Sequence, residues 1–220
     1  MASTEDSPSI NPPSLASLVP AICALCDLLK VSQVPGAIIG GVAASLQGQA
    51  RATEDVDALL RLDDSSLDHF LDMAIAEGFI PRIPDVISFA RSSAVLLLEH
   101  KASRVGVDLT LCRLPFEFDA IDRGRLIVMG NLRFSVVAPE DLIIMKAIAR
   151  RPQDFQDIRA VVRANPRLDV RRVRTQVQEF AKALDIPELW KDIAALFQVP
   201  RSRVKKKTSR RQTKPTHKKK

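Results

Sequence analysis

The sequence is poor in several features that would assign it to a specialised class of protein. Its 220 residues contain three cysteines, one tryptophan and no tyrosine. Three cysteines are too few for a disulfide scaffold and suit a reducing compartment, which predicts the cytoplasm. No apolar run approaches the roughly 20 residues of a membrane-spanning helix, and the N-terminus, with Glu5 and Asp6, lacks the basic start of a secretory signal. We therefore expect no membrane partner.

Positive charge is concentrated at one end of the chain. Residues 201–220 hold 11 of the 33 lysines and arginines and no acidic residue, so residues 1–200 carry 22 basic against 26 acidic side chains. The formal net charge of +7 thus comes from this segment, and the remainder is slightly acidic. We expect 200–220 to be a disordered basic tail. It is either a solvated arm or a segment that binds a polyanion such as RNA through counterion release.

Local patterns divide the rest of the chain into three parts. Polar, proline-rich residues 1–13 predict a disordered leader, residues 14–138 an α/β core and residues 139–199 a helical subdomain. Strands are predicted at 37–39, 55–62, 94–99, 105–111, 126–128 and 132–137. Helices are predicted at 17–31, 42–47, 66–77, 139–150, 153–164, 169–184 and 187–198. The predicted fold is α+β, with a small mixed sheet, flanking helices and a C-terminal helical bundle.

Two glycines and three aspartates carry the chemical signal. Gly40-Gly41 lies between a strand and a short helix, where the backbone can approach a ligand closely and leave helix amides pointing outward, as a phosphate requires. Asp55 and Asp57 are two apart on a strand and share one face, with Val56 and Ala58 toward the core. Asp108 interrupts an alternating apolar strand, and is either a surface residue or a third ligand for a hard divalent cation.

This ordered set resembles the nucleotidyltransferase superfamily typified by DNA polymerase beta and kanamycin nucleotidyltransferase. The stretch from Gly48 to Asp55 is similar to the version found in AbiEii-type toxin nucleotidyltransferases and their uncharacterised relatives. The resemblance spans roughly residues 36–165 and continues through Lys146 and the Arg-x-x-Asp-x-x-Asp pattern from Arg151 to Asp157. It implies that Asp55, Asp57 and Asp108 are catalytic and hold Mg²⁺ or Mn²⁺.

The resemblance also implies a nucleotide-binding set and an orienting set. Gly40, Gly41 and Ser45 would cradle the phosphates of a nucleoside triphosphate (NTP), with Arg51, Thr53 and Lys146 beside them. Arg51 and Thr53 are alternatively surface-loop residues. Lys146, the one charge in an apolar helical stretch, is alternatively a structural ion-pair partner. Asp154 and Asp157 share a helix face and are expected to orient Lys146 or Arg150 rather than bind metal.

The predicted function is metal-dependent transfer of a nucleoside monophosphate from an NTP to an RNA or protein hydroxyl, with release of pyrophosphate. A toxin acting beside an antitoxin or regulatory protein is one form of this prediction. One alternative is a degenerate, non-catalytic module that binds RNA or a protein, since Val42 stands where many superfamily members have Ser or Thr. Another alternative is an aminoglycoside-type enzyme with a small-molecule acceptor.

Overall fold

The computed structural model describes residues 13–198, which form one mixed sheet with helices packed around it. The predicted leader and basic tail, except Pro13, lie outside the described residues. The strands are β1 (Gly36–Ile38), β2 (Asp55–Leu60), β3 (Phe79–Pro81), β4 (Val95–His100), β5 (Val105–Leu111), β6 (Arg125–Met129) and β7 (Leu132–Val136). The helices are α1 (Val19–Ser32), α2 (Gly40–Gln47), α3 (Leu67–Ala76), α4 (Val86–Ser93), α5 (Pro115–Asp122), α6 (Pro139–Ala149), α7 (Pro152–Ala164), α8 (Val170–Ala183) and α9 (Leu189–Ala194). The predicted α+β class and helical C-terminal region are confirmed.

The strand order is β3-β4-β5-β2-β1-β7-β6. β2 and β5 are parallel, with Asp57 opposite Asp108, and β1 and β7 are parallel, with Ile38 opposite Val136. The other neighbouring pairs are antiparallel. Strands β2 and β5 therefore lie side by side inside the sheet, and their equivalent ends meet.

Alternation along β2 and β5 buries one face of the sheet and leaves aspartates on the other. Val56 and Ala58 in β2 and Val107 and Leu109 in β5 are completely buried. The intervening Asp55, Asp57 and Asp108 keep part of their surface accessible. Both predicted alternations are confirmed, because the two-residue period of a strand fixes which side chains share a face.

The N-terminal helix illustrates how the core is closed. A helical stretch at Leu15–Ser32, with a mean hydropathy of 1.8, is long and apolar enough to cross a membrane by length and composition alone. This stretch contains the helix predicted at 17–31, although no apolar run of membrane-spanning length was expected. Leu15, Leu18, Ile22 and Leu25 are each at most 1% exposed and belong to the protein core. Their three- and four-residue spacing is typical of a helix that packs one face against a sheet.

Three elements were missed by the sequence analysis: β3, α4 and α5. β3 has three residues, too few to show a two-residue period. α4 and α5 have eight residues each, and α5 begins at Pro115, in the first-turn position where proline is compatible with a helix. In addition, α2 begins at Gly40 rather than at Val42.

The helical region shares its core with the sheet. One cluster of buried apolar side chains extends from Leu15 to Ile193 and includes Ile143 and Ile144 of α6. Asp141 of α6 is completely buried and accepts hydrogen bonds from Arg123 and Arg172. A buried carboxylate requires such cationic partners, because its desolvation is otherwise unfavourable. The division of the chain at residue 138 stays a prediction.

Candidate active site

The turn from β1 into α2 brings two glycines against side chains of the neighbouring loop and strand. Gly40 has φ +61°, and a Cβ placed there would lie 1.9 Å from the Oδ2 of Asp57. A Cβ on Gly41 would lie 2.3 Å from the Oγ1 of Thr53. Only glycine therefore fits both positions without displacing these side chains. The N-terminus of α2 is held directly against Asp57, with the Gly41 N–H as a hydrogen-bond donor to that carboxylate.

Asp55, Asp57 and Asp108 form what we call the carboxylate edge. Asp57 and Asp108 are register partners on parallel strands, and Asp55 is paired with Gly106. All three side chains therefore lie on the face of the sheet that the core does not cover. Thr53 Oγ1 donates a hydrogen bond of 3.1 Å to Asp55 Oδ1. The structure thus brings the three aspartates and Thr53 together.

The carboxylate edge is electrostatically unbalanced. Burial, together with the charges of Asp55 and Asp108, raises the pKa of Asp57 to about 6, although the Gly41 N–H and Lys146 oppose the shift. Burial also raises the pKa of Asp108, against the effect of Arg82. Carboxylates that share a site without enough positive charge resist ionisation. A ligand that brings positive charge would stabilise this edge.

Arg82, which the sequence analysis missed, forms an ion pair with Asp108. Arg82 directly follows β3, and β4 lies between β3 and β5 in the sheet. The two residues are 26 apart in the chain, so no local pattern connects them. The position of Arg82 beside Asp108 could have been predicted only from the order of the antiparallel strands β3, β4 and β5.

Opposite the carboxylate edge lies a set of charges that we call the ion-pair cluster: Arg51, Lys146, Asp154 and Asp157. Lys146 Nζ donates hydrogen bonds to Asp154 Oδ1 at 3.1 Å and to Asp157 Oδ2 at 2.7 Å. Arg51 donates two hydrogen bonds to Asp157, at 2.9 and 3.0 Å. Burial opposes ionisation of Asp157, but the bonds from Arg51 and Lys146 lower its pKa below the usual value. Lys146 is thus a structural ion-pair partner and also lines the cleft, so the two predicted alternatives for this residue do not exclude each other.

A cleft of about 620 Å³ separates the carboxylate edge from the ion-pair cluster. Its walls include nine of the residues predicted for the site: Gly40, Gly41, Arg51, Thr53, Asp55, Asp57, Asp108, Lys146 and Asp154. Arg151 and Gln153 at the start of α7, and Glu54 beside Asp55, also line it. A polar cleft of this size, with five carboxylates and three cationic side chains in its walls, can accommodate a phosphorylated ligand.

Three predicted residues lie behind the walls of this cleft. Ser45 is buried, and its hydroxyl donates a hydrogen bond of 3.3 Å to the Arg51 carbonyl, so it supports the loop rather than the phosphate cradle. Asp157 does not line the cleft itself but accepts hydrogen bonds from three residues that do, Arg51, Lys146 and Gln153. Arg150 is not oriented by Asp154 or Asp157, because it pairs with Asp192 at 2.6 Å. Arg150 follows the last residue of α6, and its partner Asp192 belongs to α9.

The donor atoms of the carboxylate edge are of the kind that binds a divalent cation. Aspartate oxygens are the ligands that Mg²⁺ and Mn²⁺ prefer, and the pKa of Asp57 is raised by burial and by the negative charges of Asp55 and Asp108, both of which a bound cation would offset. Among residues 13–198, however, no group of three His, Cys, Asp or Glu side chains is gathered closely enough to enclose a metal ion. The pairing of Asp108 with Arg82 contributes to this arrangement.

A match to a known protein family identifies the family of this chain. A model of the family "Nucleotidyltransferase of unknown function (DUF6036)" matches residues 24–207. The chain belongs to this family. The superfamily predicted from the glycine turn and the three aspartates is confirmed, and the protein is an enzyme of the nucleotidyltransferase class. Among curated proteins, no sequence matches this nucleotidyltransferase.

Solved structures with the same fold are distant in sequence. The crystal structure of an antigenic nucleotidyltransferase-like protein from Paracoccidioides brasiliensis is 15% identical, with a TM-score of 0.53 over 85% of this chain and 94% of that one. The antibiotic-resistance factor ANT(2'')-Ia is 14% identical, with a TM-score of 0.53 over 80% of this chain and 97% of its own. At these identities the similarity establishes the nucleotidyltransferase fold.

Proposed function

We propose that this nucleotidyltransferase moves a nucleoside monophosphate from an NTP to an acceptor hydroxyl with the help of a divalent metal. The observation that carries the proposal is the parallel pairing of β2 with β5, which places Asp57 beside Asp108 and both opposite Lys146. Nucleotidyl transfer needs carboxylates on one side of the triphosphate and cations on the other. The cleft offers this arrangement within about 620 Å³.

Each wall of the cleft has a distinct role in the proposal. Asp55, Asp57 and Asp108 would hold Mg²⁺ or Mn²⁺, which when bound offsets the negative charge of the triphosphate. Gly40 and Gly41 line the cleft at the N-terminus of α2, which would attract the phosphates, and their lack of side chains lets Asp57 and Thr53 pack against this turn. Arg51 and Lys146 supply positive charge from positions fixed by Asp157.

The proposed transfer is a single displacement at the α-phosphorus. The acceptor oxygen forms a new P–O bond while the bond to pyrophosphate breaks, and pyrophosphate leaves with the bonding electrons. Asp108 takes the proton of the acceptor hydroxyl. Its raised pKa makes it a better base than an exposed aspartate. Because Arg82 is ion-paired with Asp108 in this structure, the arginine must move away from this carboxylate before the proton is transferred.

RNA and protein hydroxyls are the acceptors that we propose first, and a small cationic acceptor is the second candidate. The second candidate is favoured by the acidic wall residues Glu54, Asp55, Asp57, Asp108 and Asp154. The related fold ANT(2'')-Ia has been solved in complex with adenylyl-2''-tobramycin. The non-catalytic alternative rested on Val42, which is completely buried in the core. It therefore leaves the glycine cradle unobstructed.

The proposal also includes a cellular compartment and a macromolecular partner for the enzyme. We propose that it acts in the cytoplasm and that residues 201–220, which lie outside the described residues, bind RNA through their positive charge. A toxin role, with an antitoxin or regulatory protein as partner, stays a prediction.

The experiment is a transfer assay with each of the four NTPs labelled at the α-phosphate, Mg²⁺, and separate pools of RNA, protein and aminoglycoside. We expect label in one acceptor pool with one preferred NTP. The Asp55→Asn/Asp57→Asn variant should give no label while keeping the melting temperature of the wild type. Equal labelling by that variant, or none by the wild type in any pool, would reject the proposal.

A further inference from the structure

We propose that the exposed side of α7 is a docking surface for a single-stranded nucleic acid, whose acceptor hydroxyl reaches the cleft at the start of this helix. The inference rests on the proposed function and specifies its acceptor. We call the surface the α7 ladder, and define it by Arg151, Phe155, Arg159 and Arg163. Phe155, Arg159 and Arg163 are not among the site residues predicted from the sequence.

The α7 ladder follows the helix at intervals of four residues. Four residues advance about 6 Å along an α-helix and return to nearly the same side. Arg151, Arg159 and Arg163 are exposed, and Phe155 is partly exposed. The helix therefore presents a row of guanidinium groups with one aromatic ring among them, a combination that can follow a sugar–phosphate backbone and stack a base.

The arginines of the ladder have no structural partner within the described residues. Arg151, Arg159 and Arg163 form no ion pair with any acidic side chain of residues 13–198. Several exposed arginines elsewhere are paired, as Arg91 is with Asp68 and Arg113 with Asp64. Exposed Arg133, Arg167 and Arg171 also form no ion pair within residues 13–198, so the ladder is distinguished by having two such arginines, Arg159 and Arg163, beside one depression.

The acidic residues of α7 leave the ladder uncompensated because they face inward. Asp154 and Asp157 are at most 7% exposed and accept hydrogen bonds from Lys146 and Arg51. The helix is thus divided, with its carboxylates toward the cleft wall and its arginines toward solvent. Such a division creates the positive field that attracts a polyanion.

A shallow depression gives the surface a binding site of defined chemistry. It has a volume of about 240 Å³ and is lined by Gln49, Phe155, Gln156, Arg159, Ala160 and Arg163. The Phe155 ring can stack on a base, the two glutamine amides can donate to and accept from base edges, and the arginines can bind phosphates. An acidic peptide would use the arginines but not the ring, so the site fits a nucleic acid better.

The depression and the cleft lie along the same helix, with Phe155 to Arg163 lining the first and Arg151 to Asp154 lining the second. Arg151 and Gln153, at the start of α7, line the cleft. Gln49 belongs to the loop that carries Arg51, which also lines the cleft. We infer that a strand bound in the depression runs along the first turn of α7 and brings a terminal hydroxyl into the cleft.

The first test is binding of a fluorescent single-stranded octanucleotide, as RNA and as DNA, to the full chain by fluorescence anisotropy. The assay contains EDTA and no NTP, so it is independent of catalysis. We expect Arg159→Ala/Arg163→Ala to raise the Kd roughly tenfold. The matched control Arg133→Ala/Lys101→Ala removes the same charge from exposed positions that line neither the cleft nor the depression, and should change the Kd less than twofold.

The second test isolates stacking from charge. Wild-type protein should bind the octanucleotide roughly tenfold more tightly than an abasic strand of the same length. Phe155→Leu keeps the apolar packing and the charge but should remove this preference. Tighter binding of RNA than of DNA would show that the 2'-hydroxyl contributes, and equal binding of both that the stacked bases and phosphates suffice; either supports the surface.

Three results would overturn the inference. They are equal weakening in the two arginine variants, a preserved base preference in Phe155→Leu, and competition by polyglutamate as effective as that by RNA. If octanucleotide binding depends on the ladder but no NTP is transferred to any acceptor, the proposed function fails and the surface stands. If transfer to a non-nucleic acceptor persists with a Kd insensitive to the ladder, the surface fails alone.

Discussion

Two aspartates on opposite sides of one cleft, Asp57 in its wall and Asp157 behind the facing wall, have opposite electrostatic character. Asp57 is buried among like charges, and its pKa is raised to about 6. Asp157 is also buried, but bonds from Arg51 and Lys146 lower its pKa. The first carboxylate has more negative neighbours than positive ones, whereas the second has two cations of its own. In the proposed function, unsatisfied charge marks the wall that would bind the metal, and satisfied charge marks the side that supports the cleft.

The largest effect should follow from changing the unsatisfied wall. Asp57→Asn should lower the rate of nucleotide transfer by roughly 10³-fold or more, because it removes a carboxylate that would hold the metal. Its melting temperature should equal or exceed that of the wild type, since repulsion from Asp55 and Asp108 is relieved. Pyrophosphate release and thermal unfolding measure the two quantities. Exposed Asp119→Asn is the control and should change neither. A variant that is less stable and fully active would contradict the comparison.

The satisfied wall should respond in the opposite way, by losing stability. Lys146→Met leaves Asp154 buried without its cation and Asp157 with Arg51 alone. We expect a loss of about 3 kcal/mol in the free energy of unfolding, measured by urea denaturation. Lys182→Met, on the exposed side of α8, should change it by less than about 0.5 kcal/mol. Equal stability of the two variants would show that the ion-pair cluster contributes nothing to the fold.

Substitutions of glycine test how closely the turn before α2 packs against Asp57. Gly40→Ala combines a φ of +61° with a Cβ 1.9 Å from Asp57 Oδ2. Gly130→Ala has a φ of +59° and no atom within 4 Å, so it measures backbone strain alone. We expect a loss of about 1 kcal/mol for Gly130→Ala and at least about 2 kcal/mol for Gly40→Ala. Identical losses would mean that Asp57 moves aside without cost.

The smallest effect concerns pH. A carboxyl whose pKa is lower in the folded protein than in the unfolded chain stabilises the fold above its unfolded value, near pH 4. That contribution disappears as the pH falls through the folded pKa. Asp157→Asn should therefore flatten the loss of stability below about pH 4, whereas exposed Asp72→Asn should leave the acid limb unchanged. Urea midpoints between pH 2.5 and 7 provide the measurement, and an unchanged slope in Asp157→Asn would argue against the lowered pKa.

The parts of the site that were predicted from sequence are those set by local chain geometry. The order of glycine turn, helix and Asp-x-Asp strand fixed the relation of Gly40, Gly41, Asp55 and Asp57. Two-residue alternation then placed Asp108 on the matching face of another strand. Each of these inferences needs only the period of a strand or the conformational freedom of glycine.

The parts that were missed depend on contacts between distant segments. Asp157 and Arg51 are 106 residues apart, and no sequence pattern indicates which cation a buried aspartate will select. Arg82 reaches Asp108 only because β3, β4 and β5 are adjacent, and the three residues of β3 gave no signal. Ser45 was assigned to the phosphates by analogy with the glycine turn, but its hydroxyl is directed to the Arg51 carbonyl.

The parallel pairing of β1 with β7 has a consequence for how the chain folds. Ile38 meets Val136 across about 100 intervening residues, so the sheet cannot be completed until most of the chain has left the ribosome. Until then, β1 has a neighbour on one side only and presents unpaired amides and carbonyls to other nascent chains. A fragment ending before Leu132 should therefore aggregate, and chaperone assistance during synthesis should matter more for this protein than its modest size implies.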